Sequence, residues 1–243
     1  MYLVSRIAGR LARHAPGSET PELDRHLALR APQASCLDAA LAEIVRDAWA
    51  AGQNIDLDGV GYGPTHWDGE IFHAAPLSYY FFLAGLVRVQ DCRTILELGT
   101  HYGGSCRAML RGVAPEAAAD ILTIDISDIN RAIGRTPGIT KLVGDANSDA
   151  IIKQTVLHFA NAPIDLLYVD ADHHFGPTLT SLGIYCLLLR PRLIVIDDVL
   201  LNPQMRTLWD ALAAAPGARA VNCIDIAPGI RESHVGFGLL SLH

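Results

Sequence analysis

A chain of 243 residues has the length of one large α/β domain, or of one domain with a small appendage. Half of its residues are hydrophobic, which provides enough apolar side chains for a sizeable core. The formal net charge of −7 and the lack of any basic run argue against nucleic-acid binding.

Neither the apolar segments nor the cysteines indicate a membrane protein or a disulfide-bonded secreted one. The most apolar segment, residues 76–89, contains Arg88 and is too short to span a bilayer. The first residues have too short an apolar run for a signal peptide. Five scattered cysteines form no Cys-x-x-Cys pair, so we expect reduced thiols and a cytoplasmic location. They are Cys36, Cys92, Cys106, Cys186 and Cys223.

The first 75 residues differ in pattern from the remainder. Apolar side chains recur at helical spacing from Leu37 to Trp49, which predicts an amphipathic helix over about 36–51. A turn-rich stretch, 56–64, follows Gly52. Because this region cannot form a core of its own, we expect residues 1–75 to be an extension. It would serve as a lid over the active site or as an arm on the partner subunit of a homodimer.

Helices and strands alternate over residues 76–243, which we expect to form the main domain. This alternation predicts an α/β fold: a doubly wound, mostly parallel sheet of seven strands with helices on both faces. The predicted helices cover 77–89, 104–113, 148–160, 176–189 and 203–214, and the predicted strands cover 94–98, 121–126, 139–143, 165–169, 193–197, 220–224 and 235–240.

The most informative segment, residues 94–105, reads TILELGTHYGGS and combines an apolar strand, a glycine-rich turn and a helix start. This arrangement lets backbone N–H groups meet a nucleotide-like ligand at close range. The glycines lack the Gly-x-Gly-x-x-Gly spacing, and a carboxylate at Glu97 would repel phosphates. An acid there suits a cationic ligand such as S-adenosylmethionine, which carries a sulfonium and an ammonium. The alternative is a tight turn without a ligand.

Two later strands end in carboxylates. Asp170 follows the strand 165–169, and Asp197 and Asp198 end the strand 193–197. Because parallel strands end at one edge of a sheet, we expect these acids to converge there. Three ionised carboxylates need a counter-charge, which a divalent cation, most simply Mg²⁺, would supply through oxygen ligands. The alternative is that they cap helices, which explains one acid more readily than three.

Acids also follow the second and third strands. Asp125 lies about twenty residues beyond the glycine turn, where a carboxylate reaches the ribose hydroxyls of a nucleoside. Asp145 follows the third strand, where it can receive an adenine amino group. Each acid taken alone would be a cap or a solvated turn residue. Taken together with Glu97, they predict a nucleoside site.

These motifs carry a resemblance to a known family over residues 76–200. The chain resembles the class I S-adenosylmethionine-dependent methyltransferases. Within them it is similar to the metal-dependent sugar and natural-product O-methyltransferases, a group related to the cephalosporin hydroxylase-like and rhamnosyl O-methyltransferase families. Segments 97–105 and 169–174 are its most specific parts.

The resemblance implies specific roles for site residues. It implies that Glu97, Gly99 and Ser105 hold the methionine end of the cofactor, Asp125 the ribose, and Asp145 with Ala146 the adenine. It implies metal ligation by Asp170, Asp197 and Asp198. The predicted cofactor-binding set also includes Thr100, Gly103, Ile126 and Asp170.

The predicted catalytic base is His173. Related catechol-type enzymes have a catalytic lysine three residues after the first metal aspartate, and in this chain that position is His173, as in some macrolide-sugar methyltransferases. A sugar hydroxyl is too weakly acidic to attack a methyl group, but binding to Mg²⁺ lowers its pKa. Histidine titrates near neutral pH and can take the proton. His174 would have a supporting or adenine-side role.

Further aromatic and histidine side chains are candidates for the acceptor pocket. The histidines would line it or be structural, and the aromatic residues would stack on a sugar ring or pack in the core. They are His66, His73 and His101, and Tyr62, Trp67 and Phe72.

The predicted function is therefore O-methyl transfer from S-adenosylmethionine, with Mg²⁺, to a hydroxyl of a sugar, glycoside or polysaccharide precursor. Three alternatives remain open from the sequence. The acceptor is a flat catechol, or the protein binds S-adenosylmethionine without catalysis, or it is a nicotinamide-dependent oxidoreductase. The missing Gly-x-Gly-x-x-Gly spacing counts against the last.

Overall fold

The computed structural model describes residues 38–61, 75–231 and 235–242. Its seven strands are β1 (Thr94–Leu98), β2 (Asp120–Asp125), β3 (Ile139–Val143), β4 (Leu166–Val169), β5 (Leu193–Asp197), β6 (Arg219–Asn222) and β7 (Phe237–Ser241). Its α-helices are α1 (Ala39–Gly52), α2 (Ser78–Val89), α3 (Gly104–Gly112), α4 (Asp149–His158), α5 (Phe175–Leu189) and α6 (Pro203–Ala213).

The strands form one sheet in the order β3-β2-β1-β4-β5-β7-β6. Only β7 runs antiparallel to its neighbours, β5 and β6. The strand order reverses between β1 and β4, because β1 to β3 form one half of the sheet and β4 to β7 form the other. The predicted doubly wound, mostly parallel sheet of seven strands is thereby confirmed.

Both faces of the central strands are buried, as expected for parallel strands between two helix layers. Ile95 packs in the core beneath α1, α2 and α3. Its neighbour Leu96 packs in the core beneath α4, α5 and α6. This alternation fixes which side chains point into each layer and leaves the carboxyl ends of the strands free to carry polar groups.

The described part of the N-terminal extension packs against its own chain. Leu41 and Val45 of α1 lie in the same core as α2 and α3. The two helices approach so closely that a Cβ atom on Gly85 would lie 1.8 Å from the carbonyl oxygen of Ala48. At the start of α1, Asp38 accepts a hydrogen bond from the backbone N–H of Leu41, at 3.0 Å.

An ion pair joins the same end of α1 to the far edge of the sheet. Arg219 on β6 donates to both carboxylate oxygens of Asp38, each at 2.7 Å. The ion pair therefore links the N-terminal extension to β6, the strand at one edge of the sheet. The extension and the sheet are therefore connected at both the apolar core and the surface.

The predicted strand 220–224 is too long at its carboxyl end. β6 ends at Asn222, and Cys223–Asp225 form a 3₁₀ turn. The side-chain oxygen of Asn222 accepts the backbone N–H of Phe237, at 3.0 Å, which ties the turn to β7. Among the helices of the described ranges, none has the length and apolar character needed to cross a bilayer.

Candidate active site

A cavity of about 780 Å³ opens at the carboxyl edge of the sheet. It lies where the strand order reverses, which is the usual position of ligand sites in open α/β sheets. Residues after β2 and β3 line one end, and residues after β4 and β5 line the other. We call these the nucleoside end and the acidic end.

The glycine turn separates β1 from α3 and forms the floor between the two ends. Gly99 has a φ of 100° and lines the cavity, and Gly103 has a φ of 81° and precedes the first turn of α3. The backbone N–H of Gly99 donates to the carbonyl oxygen of Ile124, at 2.8 Å, so the turn is fixed to β2. His101, for which the sequence left a lining and a structural role open, also lines the cavity.

Glu97 lies behind the turn and is fully buried. Ser105 and Thr123 each donate a hydroxyl hydrogen bond to its carboxyl group. Burial raises the pKa of Glu97 to about 8, although these hydrogen bonds lower it. Without a ligand, burial therefore favours the protonated form of Glu97, and the expectation that its carboxylate faces a cationic ligand stays a prediction.

Two other predicted cofactor residues, Thr100 and Ser105, make side-chain hydrogen bonds behind the turn. The Thr100 hydroxyl lies 2.6 Å from that of Thr123, and Thr100 and Ser105 are buried. Neither they, nor Gly103, nor Glu97 are among the described residues that line the cavity. Their direct contact with the cofactor stays a prediction, whereas the hydrogen bonds show how they shape the turn.

Asp125 and Ile126 line the nucleoside end. The Asp125 carboxylate accepts the backbone N–H groups of His101, at 2.7 Å, and of Ser127, at 2.8 Å. These bonds fix its orientation and leave each oxygen able to accept another hydrogen bond. The adjacent Ile126 side chain is 75% exposed, which leaves an apolar surface available to a flat ring.

Asp145 and Ala146 line the same end from the loop after β3. Asp145 accepts the backbone N–H of Asn147, at 2.8 Å, and the carbonyl oxygen of Ala146 accepts the Tyr185 hydroxyl, at 2.6 Å. Two residues that were not predicted, Asn147 and Ser181, also line the cavity. Asn147 was recognisable from its place beside Asp145.

The acidic end brings together Asp170, His173, Asp197 and Asp198, as predicted. Nε2 of His173 lies 3.6 Å from Oδ1 of Asp170, and Nδ1 lies 3.8 Å from Oδ2 of Asp198. The imidazole is thus located between carboxylates from β4 and β5. His174 points elsewhere, because its side chain is 61% exposed and its Nδ1 lies 2.9 Å from Asp172.

Burial shifts the titration of the inner acids. It raises the pKa of Asp170, and His173 and Arg231 oppose this effect. Burial and then repulsion by Asp170 raise the pKa of Asp197 well above its ordinary value. The inner carboxylates therefore require nearby positive charge to remain ionised.

Arg231, which was not predicted from the sequence, supplies positive charge at the acidic end. Its Nη2 atom lies 3.0 Å from Oδ2 of Asp197 and 2.6 Å from Oδ1 of Asp198. Burial disfavours the charged form of Arg231, but the two aspartates outweigh it and raise the pKa of the guanidinium. No sequence motif marked Arg231, because it approaches the aspartates only through the fold.

The acidic end has the donor chemistry that Mg²⁺ prefers, since hard carboxylate oxygens from two strand ends share one cavity. As the described side chains stand, no three histidine, cysteine or acidic residues are grouped to hold a metal ion. Arg231 occupies oxygens of both Asp197 and Asp198. A divalent cation is therefore one of two candidate counter-charges, and metal ligation by these aspartates stays a prediction.

Several predicted pocket residues lie outside the described ranges. These are Tyr62, His66, Trp67, Phe72 and His73.

Comparison with known proteins agrees with this arrangement. Residues 96–199 match the model of a family described as a methyltransferase domain. No curated protein gives a significant match. An O-methyltransferase from Bacillus cereus, solved in complex with SAH, has a TM-score of 0.53 and 22% identity, with 84% of this chain and 91% of that chain covered.

A second solved structure is similar to this chain. It is the O-methyltransferase TomG from Streptomyces achromogenes, involved in tomaymycin synthesis and solved in complex with SAM. Its TM-score is 0.50 and its identity 21%, with 82% of this chain and 89% of that chain covered. At this identity the likeness establishes the fold. The family match shows that residues 96–199 are similar to a methyltransferase domain, and the solved structures show that the chain shares the fold of these O-methyltransferases.

Proposed function

We propose that this protein transfers the methyl group of S-adenosylmethionine, with Mg²⁺, to a hydroxyl of a sugar, glycoside or polysaccharide precursor. The observation that carries the proposal is the division of one cavity into a nucleoside end and an acidic end that contains His173. The sugar class rests on the resemblance of segment 169–174, where histidine stands in the position of the catechol-type lysine.

The nucleoside end would hold the cofactor, which supplies an electrophilic methyl group on its sulfonium. Asp125 would accept hydrogen bonds from the ribose hydroxyls, because the backbone bonds to His101 and Ser127 already aim its carboxylate. Ile126 would pack against the adenine ring, and Asp145 would receive the adenine amino group. Micromolar affinity would correspond to about −8 kcal/mol.

The acidic end would hold the acceptor. Asp170, Asp197 and Asp198 would hold Mg²⁺, which when bound supplies a Lewis acid that lowers the pKa of an acceptor hydroxyl. His173 would take the hydroxyl proton as the oxygen attacks the methyl carbon. Asp170 and Asp198, on either side of the ring, would stabilise the imidazolium. The products are the methyl ether and S-adenosylhomocysteine.

Transfer of a labelled methyl group to a panel of sugars, glycosides and catechols, with EDTA or with added Mg²⁺, tests this proposal. We expect a methylated sugar or glycoside only when Mg²⁺ is present. Full activity in EDTA would show that the reaction does not need Mg²⁺. Preferential methylation of a catechol would show that the acceptor is a catechol and not a sugar or glycoside. Binding of NAD without S-adenosylmethionine in calorimetry would reject methyl transfer altogether.

Two further predictions from the sequence belong to the same proposal. The homodimer is tested by light scattering of the purified protein. The cytoplasmic location is tested by fractionation of the cells that produce it.

A further inference from the structure

We propose that Arg231 is the resident counter-ion of the acidic end and that it limits how tightly a divalent cation binds there. This inference rests on the proposed function, because it assumes that the carboxylates can also receive a metal. Arg231 would thus be a positioning residue, whose guanidinium must release the aspartates before they can act as metal ligands.

The contacts of Asp197 show the competition most directly. Asp197 is 2% exposed, and both its carboxylate oxygens are engaged. Oδ1 accepts the backbone N–H of Asp198, at 2.8 Å, and Oδ2 lies 3.0 Å from Nη2 of Arg231. A cation that uses Asp197 must therefore share or take the oxygen that Arg231 now holds.

Asp198 is engaged in the same way. Its Oδ1 accepts a hydrogen bond from Nη2 of Arg231, at 2.6 Å, while its Oδ2 faces His173. One guanidinium nitrogen thus bridges two of the three predicted metal ligands. Displacement of Arg231 would free both aspartates in a single step.

A second contact holds the guanidinium beside the aspartates. Cζ of Arg231 lies 4.6 Å from the centre of the Tyr79 ring, within the range of a cation–π interaction. The backbone just before Arg231 is fixed to α2, because the Ser78 hydroxyl donates to the carbonyl oxygen of Ile230, at 2.9 Å. The backbone before Arg231 is therefore fixed, and a competing cation would act on the guanidinium alone.

The hydrogen bonding of Arg231 is also incomplete. Its Nε atom is buried and has no hydrogen-bond partner in the described structure. The side chain is thus held through Nη2 and the aromatic ring instead of a full set of donor contacts. A competing cation must therefore overcome the ion pair and not a full set of donor contacts.

The charges at the acidic end determine whether removal of Arg231 raises or lowers the metal affinity. With a divalent cation bound, the three aspartates carry three negative charges, and Arg231 reduces the net negative charge of the cluster by one. Without Arg231, two carboxylate oxygens are free and no resident positive charge opposes the cation, so a divalent cation should bind more strongly. We therefore expect Arg231→Met, which keeps the apolar stem, to increase metal affinity at least about tenfold.

Measurement of Mn²⁺ binding by electron paramagnetic resonance, and of Mg²⁺ binding by calorimetry, tests this without any acceptor. Arg231→Lys keeps the charge and should remain close to wild type. Arg131→Met is the matched control, because it makes the same net-charge change at a side chain that is 82% exposed and outside the cavity lining. It should leave the metal affinity unchanged.

Metal affinity in Arg231→Met that is equal to or weaker than wild type would overturn the proposal. Binding of S-adenosylhomocysteine verifies that each variant is folded, and Arg231→Gln replaces the Met variant if that one fails to fold. If wild type and all variants bind neither Mn²⁺ nor Mg²⁺, the metal part of the proposed function fails as well. Normal metal binding to wild type with no gain in Arg231→Met would contradict only the role of Arg231.

Discussion

Gly99 and Asp170 are in direct backbone contact at the point where the two ends of the cavity meet. A Cβ atom on Gly99 would lie 2.0 Å from the carbonyl oxygen of Asp170. The backbone N–H of Asp170 in turn donates to the carbonyl oxygen of Leu98, at 2.8 Å. The turn beside the cofactor end and the first acid of the acceptor end are therefore positioned by the same few backbone atoms.

Substitution Gly99→Ala should disturb both ends at once. The new methyl group would collide with Asp170, and the φ of 100° disfavours alanine, which together should cost about 1–3 kcal/mol or more of stability. We expect lower unfolding free energy in urea and weaker binding of S-adenosylmethionine. Gly183→Ala in α5 is the control, since a Cβ there meets nothing within 4 Å. Equal stability of the two variants would contradict the prediction.

Substitution Asp125→Ala should weaken binding of S-adenosylmethionine. The ribose hydroxyls would lose a charged acceptor, a contact worth roughly 1.5–3 kcal/mol. Calorimetry should show the loss in the dissociation constant. Asp128→Ala removes a nearby carboxylate that pairs with Lys141 and does not line the cavity, so its affinity should stay at the wild-type value. If Asp125→Ala binds S-adenosylmethionine as tightly as wild type, the ribose does not bind at Asp125.

Substitution His173→Ala should lower kcat by about 10²–10⁴-fold while cofactor affinity stays nearly unchanged. His173 lines the cavity between two carboxylates, whereas the exposed His174 contacts Asp172. His174→Ala is therefore the adjacent control and should have a small effect. A larger loss in His174→Ala would shift the assignment by one residue. Little loss in either variant would mean that no protein base is needed.

Substitution Glu97→Gln should change how stability depends on pH. Because burial raises the pKa of Glu97 in the folded protein to about 8, above its ordinary value of 4.5, the native state holds an extra proton between these two pH values. The contribution of Glu97 to the free energy of unfolding therefore falls as the pH rises between these two values. In this pH range the free energy of unfolding of the glutamine variant should rise relative to that of wild type by roughly 1.4 kcal/mol per pH unit.

The glutamine amide can imitate the protonated acid, since its oxygen can accept from Ser105 and its amino group can donate to Thr123. Urea unfolding of both proteins at pH 5.5, 7 and 8.5 gives the comparison. The exposed Glu43→Gln shows the effect of losing one surface carboxylate. A constant stability difference between wild type and Glu97→Gln across this range would argue against a protonated Glu97.

The sheet and the meeting of the strand-end residues were predictable from local pattern. Runs such as residues 94–98 and 193–197 mark buried strands, and parallel strands bring Asp125, Asp170 and Asp197 to one edge. The state of Glu97 was not predictable, because it depends on burial and on hydroxyl groups supplied by α3 and β2. Arg231 was missed because its contact with Asp197 depends on how the chain returns after β6.

The close contact between α1 and α2 has a consequence for any attempt to isolate the matched segment. A shortened chain that starts at α2 would present to water a helix face shaped for another helix, including Leu83 and the backbone beside Gly85. Such an uncovered apolar face favours association between copies. A shortened chain should therefore retain α1 and not begin at residue 96, where the family match begins.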